Sequence, residues 1–248
     1  MLAKAKPYVG LDNFKTIFQD EIFRKSLFNT ALYIVLGVPG QLVSGLVIAL
    51  LLHNVNRLRG LFRTVYFIPY VTSIVAVSWV FKWILMRNGV LNGWLLDLGF
   101  QPQLFLQSPR QALPVIVLSM IWQSIGFQML VFLTGLQQIP KLYYEAAEID
   151  GAGAWRRFFH ITLPLLNPVI VFSAVIATLS YAQSFGQVLN MTGGGPLNST
   201  VSIVLYIYNL AFLQFKMGPA SAASVVLFAF ILTLTLVQLK VLNRKIDY

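Results

Sequence analysis

Apolar residues in this chain come in long runs separated by shorter polar stretches. Five runs can be drawn, over about residues 30–52, 65–85, 113–136, 168–189 and 220–242. Each reaches the roughly 20 residues that a helix needs to cross a bilayer. No run alternates apolar and polar positions as a half-buried strand would, and no repeat of solenoid length is present. In lipid a lone segment satisfies its backbone hydrogen bonds only as a helix. The pattern predicts an all-α fold, a polytopic transmembrane helical bundle of about five spans. Residues 1–29 form an N-terminal external segment, residues 30–248 the membrane domain, and residues 137–167 a polar loop between the third and fourth spans.

Composition agrees. The chain is 57% hydrophobic and only 10% charged, against about 25% charged in a soluble domain, and its mean hydropathy is +0.73. The absence of cysteine excludes disulfides, thiol catalysis and thiolate metal sites. A net charge of +10 would suit nucleic acid, but the cations sit in short loops. Arg57, Arg59 and Arg63 follow the first span, Lys141, Arg156 and Arg157 the third, and Lys240, Arg244 and Lys245 the last. Basic loops stay on the cytoplasmic side, so these three segments face the cytoplasm and lipid is the expected neighbour. The charge-poorer loops with Arg87, Arg110 and Lys216 face out.

This topology puts the N-terminus outside with Lys4, Lys6, Lys15, Arg24 and Lys25. A basic tail is hard to translocate without a leading span, so a further span is expected ahead of Met1. No signal peptide is visible, because Met1–Asn29 lacks an apolar core segment.

The spans hold no acidic residue, and Lys82 lies near the outer end of the second. Ion-coupled carriers depend on intramembrane carboxylates, so this composition favours a neutral solute. His53 and His160 stand at span ends and form no metal site, and no phosphate-cradling GxxxxGK[ST] occurs. Neutral polar residues do enter the third and fourth spans: Gln123, Ser124 and Gln128 in one, and Ser180, Tyr181, Gln183, Ser184 and Gln187 in the other.

The loop at 137–167 gathers scarce acids. Glu145, Glu148 and Asp150 fall within six positions. Pro140 suits a helix start, and Leu142, Ala146 and Ile149 share one helical face. Gly151 is placed as the residue that ends the helix with positive φ. A second short helix is expected over 154–162, with Trp155, Phe158 and Phe159 at the membrane surface and Pro164 breaking it. Such a hairpin suits docking into a soluble partner; an ordinary interfacial loop is the alternative. The small residues at the start of the last span (Gly218 and Ala220 to Ser224) allow close helix packing, within this chain or on a partner.

The segment EAAEIDGAGAWRRFFHITLPLL (Glu145–Leu166) resembles the EAA loop of ABC-importer permeases, in which E-A-A, three residues and G precede I-x-L-P. Here these are Glu145, Ala146 and Ala147, then Gly151, then Ile161 to Pro164. MTGGGP (Met191–Pro196), GLDNF (Gly10–Phe14) and LFRTVYFIPY (Leu61–Tyr70) are similar to segments of the maltose and glycerol-phosphate type permeases. The resemblance runs from about residue 10 to the end. Members of that group usually carry another span before the GLDNF segment.

The resemblance implies two permease subunits, a separate ATPase dimer that binds ATP and Mg, and an extracytoplasmic solute-binding protein. This subunit itself would be no enzyme and would need no cofactor. Glu145, Ala146, Ala147, Asp150, Gly151, Leu163 and Pro164 would couple to the ATPase. Gln123, Ser124 and Phe127, with Ser180, Tyr181 and Ser184, would line the solute path. The expected solute is a sugar or related polyol; glycerol-phosphate or a polyamine on the same machinery is the alternative. An ion-coupled carrier and a membrane-embedded enzyme are rivals from other classes, the latter lacking any buried nucleophile or acid cluster here.

Overall fold

The computed structural model describes residues 8–53, 55 and 58–242. The basic positions Lys4, Lys6, Arg57, Arg244 and Lys245 lie outside the described residues. Among the described residues every regular element is helical.

The stretch before the first apolar run is structured. Helix α1 (Asp12–Gln19) is followed at once by α2, a 33-residue helix over Glu21–His53. The first span therefore starts nine residues earlier than its apolar run, and the expected external segment is helical over Asp12–Gln19 and from Glu21 onward. Asp20 makes the junction: its Oδ1 accepts from the Ile22 N–H at 2.8 Å, as an N-terminal cap does. Its other oxygen accepts from the Tyr206 hydroxyl at 2.7 Å. That ties the junction to a distant short helix over Ile203–Tyr208.

The second apolar run is not one rod. It is α3 (Arg59–Val71) and α4 (Ile74–Ile84), bent by 94° at Thr72–Ser73. Pro69, near the end of α3, removes a donor from that last turn. A short α5 (Val90–Asp97) follows outside, and α6 (Ala112–Gln138) crosses in one piece. The hairpin comprises α7 (Lys141–Ile149) and α8 (Ala154–Arg157). A π-helical turn at Phe158–Thr162 and the short α9 (Leu163–Leu165) lead into α10 (Asn167–Ala182). Pro164 does not break the chain here as expected. The wider π turn ends just before it, and Pro164 occupies the first turn of the next helical piece, where its missing N–H costs nothing.

The fourth run is likewise divided, into α10 and α11 (Gly186–Met191). Helix α12 (Ile203–Tyr208), extended by a π turn at Asn209–Leu213, was not foreseen. At eleven mostly apolar residues, Ile203–Leu213, it is too short to cross. The last span is α13 (Met217–Leu242). Among the described residues four helical segments are long and apolar enough to span, and five if the bent α3–α4 pair counts as one.

Helices α2 and α6 form the central pair. Helix α10 packs on α2, α3 on α6, α11 on α4, and α13 on α10, α1 and α12. The apolar core falls into two blocks. One, around Phe23, Tyr33, Ile116, Val201 and Ala223, fills the outer end. The other, around Ala49, Met129, Phe132, Leu136 and Leu166, lies under the hairpin. Between them sits a polar belt: Ser124 Oγ donates to Gln41 Oε1 at 3.1 Å, and Gln41 Nε2 to Gln128 Oε1 at 3.4 Å. The basic end is one end: Asn167 at the start of α10 donates to the Leu242 carbonyl of α13 at 3.0 Å. Leu52, Leu136 and Leu166 share the second core block at this end, so the described parts of the three basic segments lie together.

Close backbone approach sets the α3–α6 distance. A Cβ at Gly126 would run into the Tyr66 carbonyl and the Phe67 Cα. Backbone cannot swing aside as a side chain can, so Gly126→Ala must separate the two helices. We expect a loss of about 1–3 kcal/mol, read as a lower unfolding midpoint of the purified protein in detergent.

Candidate functional site

Two places bring the predicted residues together. The first is the hairpin. Pro140 stands as the N-terminal cap of α7, and Gly151 ends it with φ +73°. The Ala152 N–H reaches the Ala147 carbonyl at 2.8 Å and the Gly151 N–H reaches the Glu148 carbonyl at 3.0 Å. These two bonds are the full Schellman closure, which needs a left-handed residue at this position. Two side-chain contacts hold the second arm to the first. The Tyr144 and Thr162 hydroxyls lie 2.9 Å apart. Arg157 sits 3.7 Å from Glu148 in a largely exposed pair, worth at most about 1 kcal/mol.

The apolar face of α7 points outward. Leu142 and Ile149 are 72% and 87% exposed, and Ala146 is exposed beside them. Trp155 is 77% exposed and stacks on Phe159 at 6.0 Å. Leu142, Ala146 and Ile149 do share one face, and inside the hairpin it is Tyr144 that ties the two arms together. Among the other predicted residues, Glu145 and Asp150 are exposed, and Ala147 is half-buried. Leu163 and Pro164 lie beyond the π turn at the root of α10.

The second place is a cavity of about 670 Å³ between the two helix breaks, a size typical of small-molecule sites. Gln123, Ser124, Ser180, Tyr181 and Ser184 all line it, as expected, with Tyr70, Ile74, Phe185, Gln187 and Asn190. Phe127 does not. It stacks behind Tyr70, with ring centroids 5.0 Å apart and planes at 17°. Tyr70 takes the lining position because α3 ends at the cavity wall.

Gln123 joins both breaks. Its Nε2 donates to the Thr72 carbonyl, freed where α3 stops, at 3.1 Å. Its Oε1 accepts from Gln187 Nε2 of α11 at 2.9 Å. The Ser184 carbonyl, freed at the other break, accepts from Ser202 Oγ at 2.6 Å. Thus the freed carbonyls are satisfied, but two hydroxyls are not. Tyr181 and Ser184 are 1% and 3% exposed, line the cavity, and have no hydrogen-bond partner. A buried polar group left alone calls for explanation by a ligand, water or function. Among the described residues no charged side chain lines this cavity.

Gly37, in the middle of α2, was not singled out from sequence. A Cβ there would overlap the Tyr181 ring. The glycine is what allows a tyrosine at this position to lie flat between α2 and α10. Nothing in the local pattern of α2 announces this, since the partner is 144 residues away in the sequence.

Residues 41–248 match the model of the binding-protein-dependent transport system inner membrane component. The chain belongs to this family. The match covers the broken spans, the hairpin and the cavity, and fits the multi-pass, inner-membrane character of the bundle. As a permease component the chain is a transport subunit and no enzyme. It is 38% identical over 239 residues to the sulfoquinovosyl glycerol transport system permease protein SmoG of Agrobacterium fabrum, covering 96% of this chain and 78% of that one. It is 39% identical over 223 residues to the lactose transport system permease protein LacF of Rhizobium radiobacter, covering 88% and 74%. Its fold resembles that of a bacterial ABC transporter involved in import of the acidic polysaccharide alginate, with a TM-score of 0.87 and 28% identity over 98% of this chain and 86% of that one.

Proposed function

We propose that this permease forms one half of the translocation path of an ATP-binding-cassette importer for a sugar or related polyol. A second permease subunit supplies the other half. An extracytoplasmic binding protein delivers the solute, and a separate ATPase dimer, which holds the ATP and Mg, drives the cycle. The permease itself carries no cofactor.

The cavity carries the solute assignment. Tyr181 and Ser184 offer two unpartnered hydroxyls, Gln123 and Gln187 a fixed amide pair, and Tyr70 and Phe185 flat aromatic surface. Hydroxyl-rich solutes use this combination. A polyamine would need carboxylates, and none lines the cavity. The sugar-based solutes named for the similar permeases agree with this class. Uptake by the reconstituted importer, measured over a panel of labelled sugars, polyols, glycerol phosphate and putrescine, tests it. A sugar or polyol is expected to be taken up best; preference for putrescine or glycerol phosphate over every sugar would refute the reading.

The hairpin carries the coupling. Its outward stripe of Leu142, Ala146 and Ile149, flanked by Glu145, suits a cleft on the ATPase at the cytoplasmic surface. Ala146 faces that cleft better than Ala147, which is half-buried. The chain has no cysteine, so Ala146→Cys introduces a single thiol. Crosslinking it in native membranes is expected to trap the ATPase subunit, identified by mass spectrometry. If a reactive thiol at this position captured only lipid or this chain, the docking role would be lost.

A further inference from the structure

At the cytoplasmic start of α3, two arginines one helical turn apart turn toward the same atom. The Gln137 carboxamide, with its oxygen facing them, accepts from Arg59 Nη2 and Arg63 Nη2, each at 2.9 Å. The two guanidinium nitrogens are therefore no more than twice that distance apart. Like charges this close repel, and at a membrane boundary water screens them less than in bulk. Nature's usual filler for such a fork is a carboxylate or phosphate. Here the bridging group is a neutral amide. Among the described residues neither arginine has a carboxylate within ion-pairing distance. Both Nε atoms are buried and without a partner.

Arg63 also heads a groove of about 360 Å³ between α3 and α6. The rest of its wall is Thr64, Phe67, Ile68, Val71 and Leu130. From Arg63 to Val71 it follows α3 for about 12 Å, close to the hydrocarbon depth of one leaflet. A carboxylate from a soluble partner would satisfy the charges but leave this apolar wall bare. A phospholipid satisfies both, with its phosphate on the arginines and an acyl chain along α3.

We propose that Arg59, Arg63 and the α3–α6 groove form a binding site for an anionic phospholipid of the cytoplasmic leaflet. The site clamps α3 to the end of α6. Three residues beyond Gln138 the coupling hairpin begins, and at its other end α3 reaches the cavity wall at Tyr70. A lipid held here stiffens the junction between the two. The assignment does not depend on which solute is carried.

The test uses the purified importer with its partner subunits, in detergent. It is titrated with dioleoylphosphatidylglycerol or dioleoylphosphatidylcholine, and bound lipid is counted by native mass spectrometry. The phosphatidylglycerol is expected to be retained preferentially. Arg63→Gln should lower that retention about five-fold, the usual effect of one basic residue on anionic lipid. Gln137→Glu should lower it as well, because a built-in carboxylate takes the place of the phosphate while keeping the arginines paired. Equal retention of the two lipids by the unaltered importer would overturn the proposal. So would unchanged phosphatidylglycerol retention in both variants at an unaltered unfolding midpoint. A Thr64→Cys thiol that crosslinks efficiently to the second permease would also overturn it, since the groove would then be covered by protein.

Discussion

Gly151→Leu is expected to leave the permease folded and in the membrane but to cut uptake by about 5- to 30-fold. The argument is conformational. Gly151 has φ +73°, and a Cβ placed there meets nothing within 4 Å. Leucine therefore brings no clash, only the cost of the left-handed backbone, about 1–2 kcal/mol. That cost corresponds to the stated factor when it biases the hairpin away from its closed form. The two bonds that close the turn, from Ala152 and Gly151, are what is lost. The spans are far from the change, so the unfolding midpoint should move little. ATP hydrolysis by the assembled importer should persist while its stimulation by loaded binding protein disappears. Uptake at the parent level would show that the turn geometry is irrelevant to coupling.

Tyr181→Phe separates a solute-binding role from a structural one. A buried hydroxyl without a partner is a liability to the folded state, of the order of 1–3 kcal/mol. Removing it should leave stability unchanged or raise it. If the hydroxyl serves the solute, the half-saturating solute concentration should rise about 3- to 10-fold. Tyr33 is the control. It is as deeply buried, but its hydroxyl donates to the Thr200 carbonyl at 3.0 Å. Tyr33→Phe should therefore lower the unfolding midpoint. A Tyr181→Phe protein that is less stable, with unaltered uptake, would return Tyr181 to the core.

Which features could be read from the chain alone depends on the range of the interaction behind them. The turn at Gly151 was legible because a C-terminal cap is set by a handful of consecutive residues. The stripe of Leu142, Ala146 and Ile149 was legible as a face, but periodicity does not say which face is covered. Its exposure needed the fold. The spans were legible by length. Their breaks at Thr72–Ser73 and Gln183–Phe185 were not, because hydropathy averages over a window and an apolar residue scores alike in straight and bent backbone. Five of the six residues proposed for the solute path meet in one cavity because polar side chains in lipid must find one another. Phe127 and Tyr70 exchanged places because an aromatic carries no such obligation. Gly37 stayed hidden for the same reason that it matters: its partner comes from another helix.

The polar belt between the two apolar blocks has a mechanical meaning. Sliding one packed hydrocarbon block over another opens voids, and interiors resist this. Here α2 and α6 meet at mid-length through Gln41, Ser124 and Gln128 instead, with Gln123 beside them. Amides and hydroxyls can trade partners as they rotate, and each such bond is worth only about 0.6 kcal/mol within a membrane. Because α2 and α6 run unbroken through both blocks, the belt is a seam between these two helices at mid-length, where their contact can readjust at little cost while the apolar packing on either side stays intact.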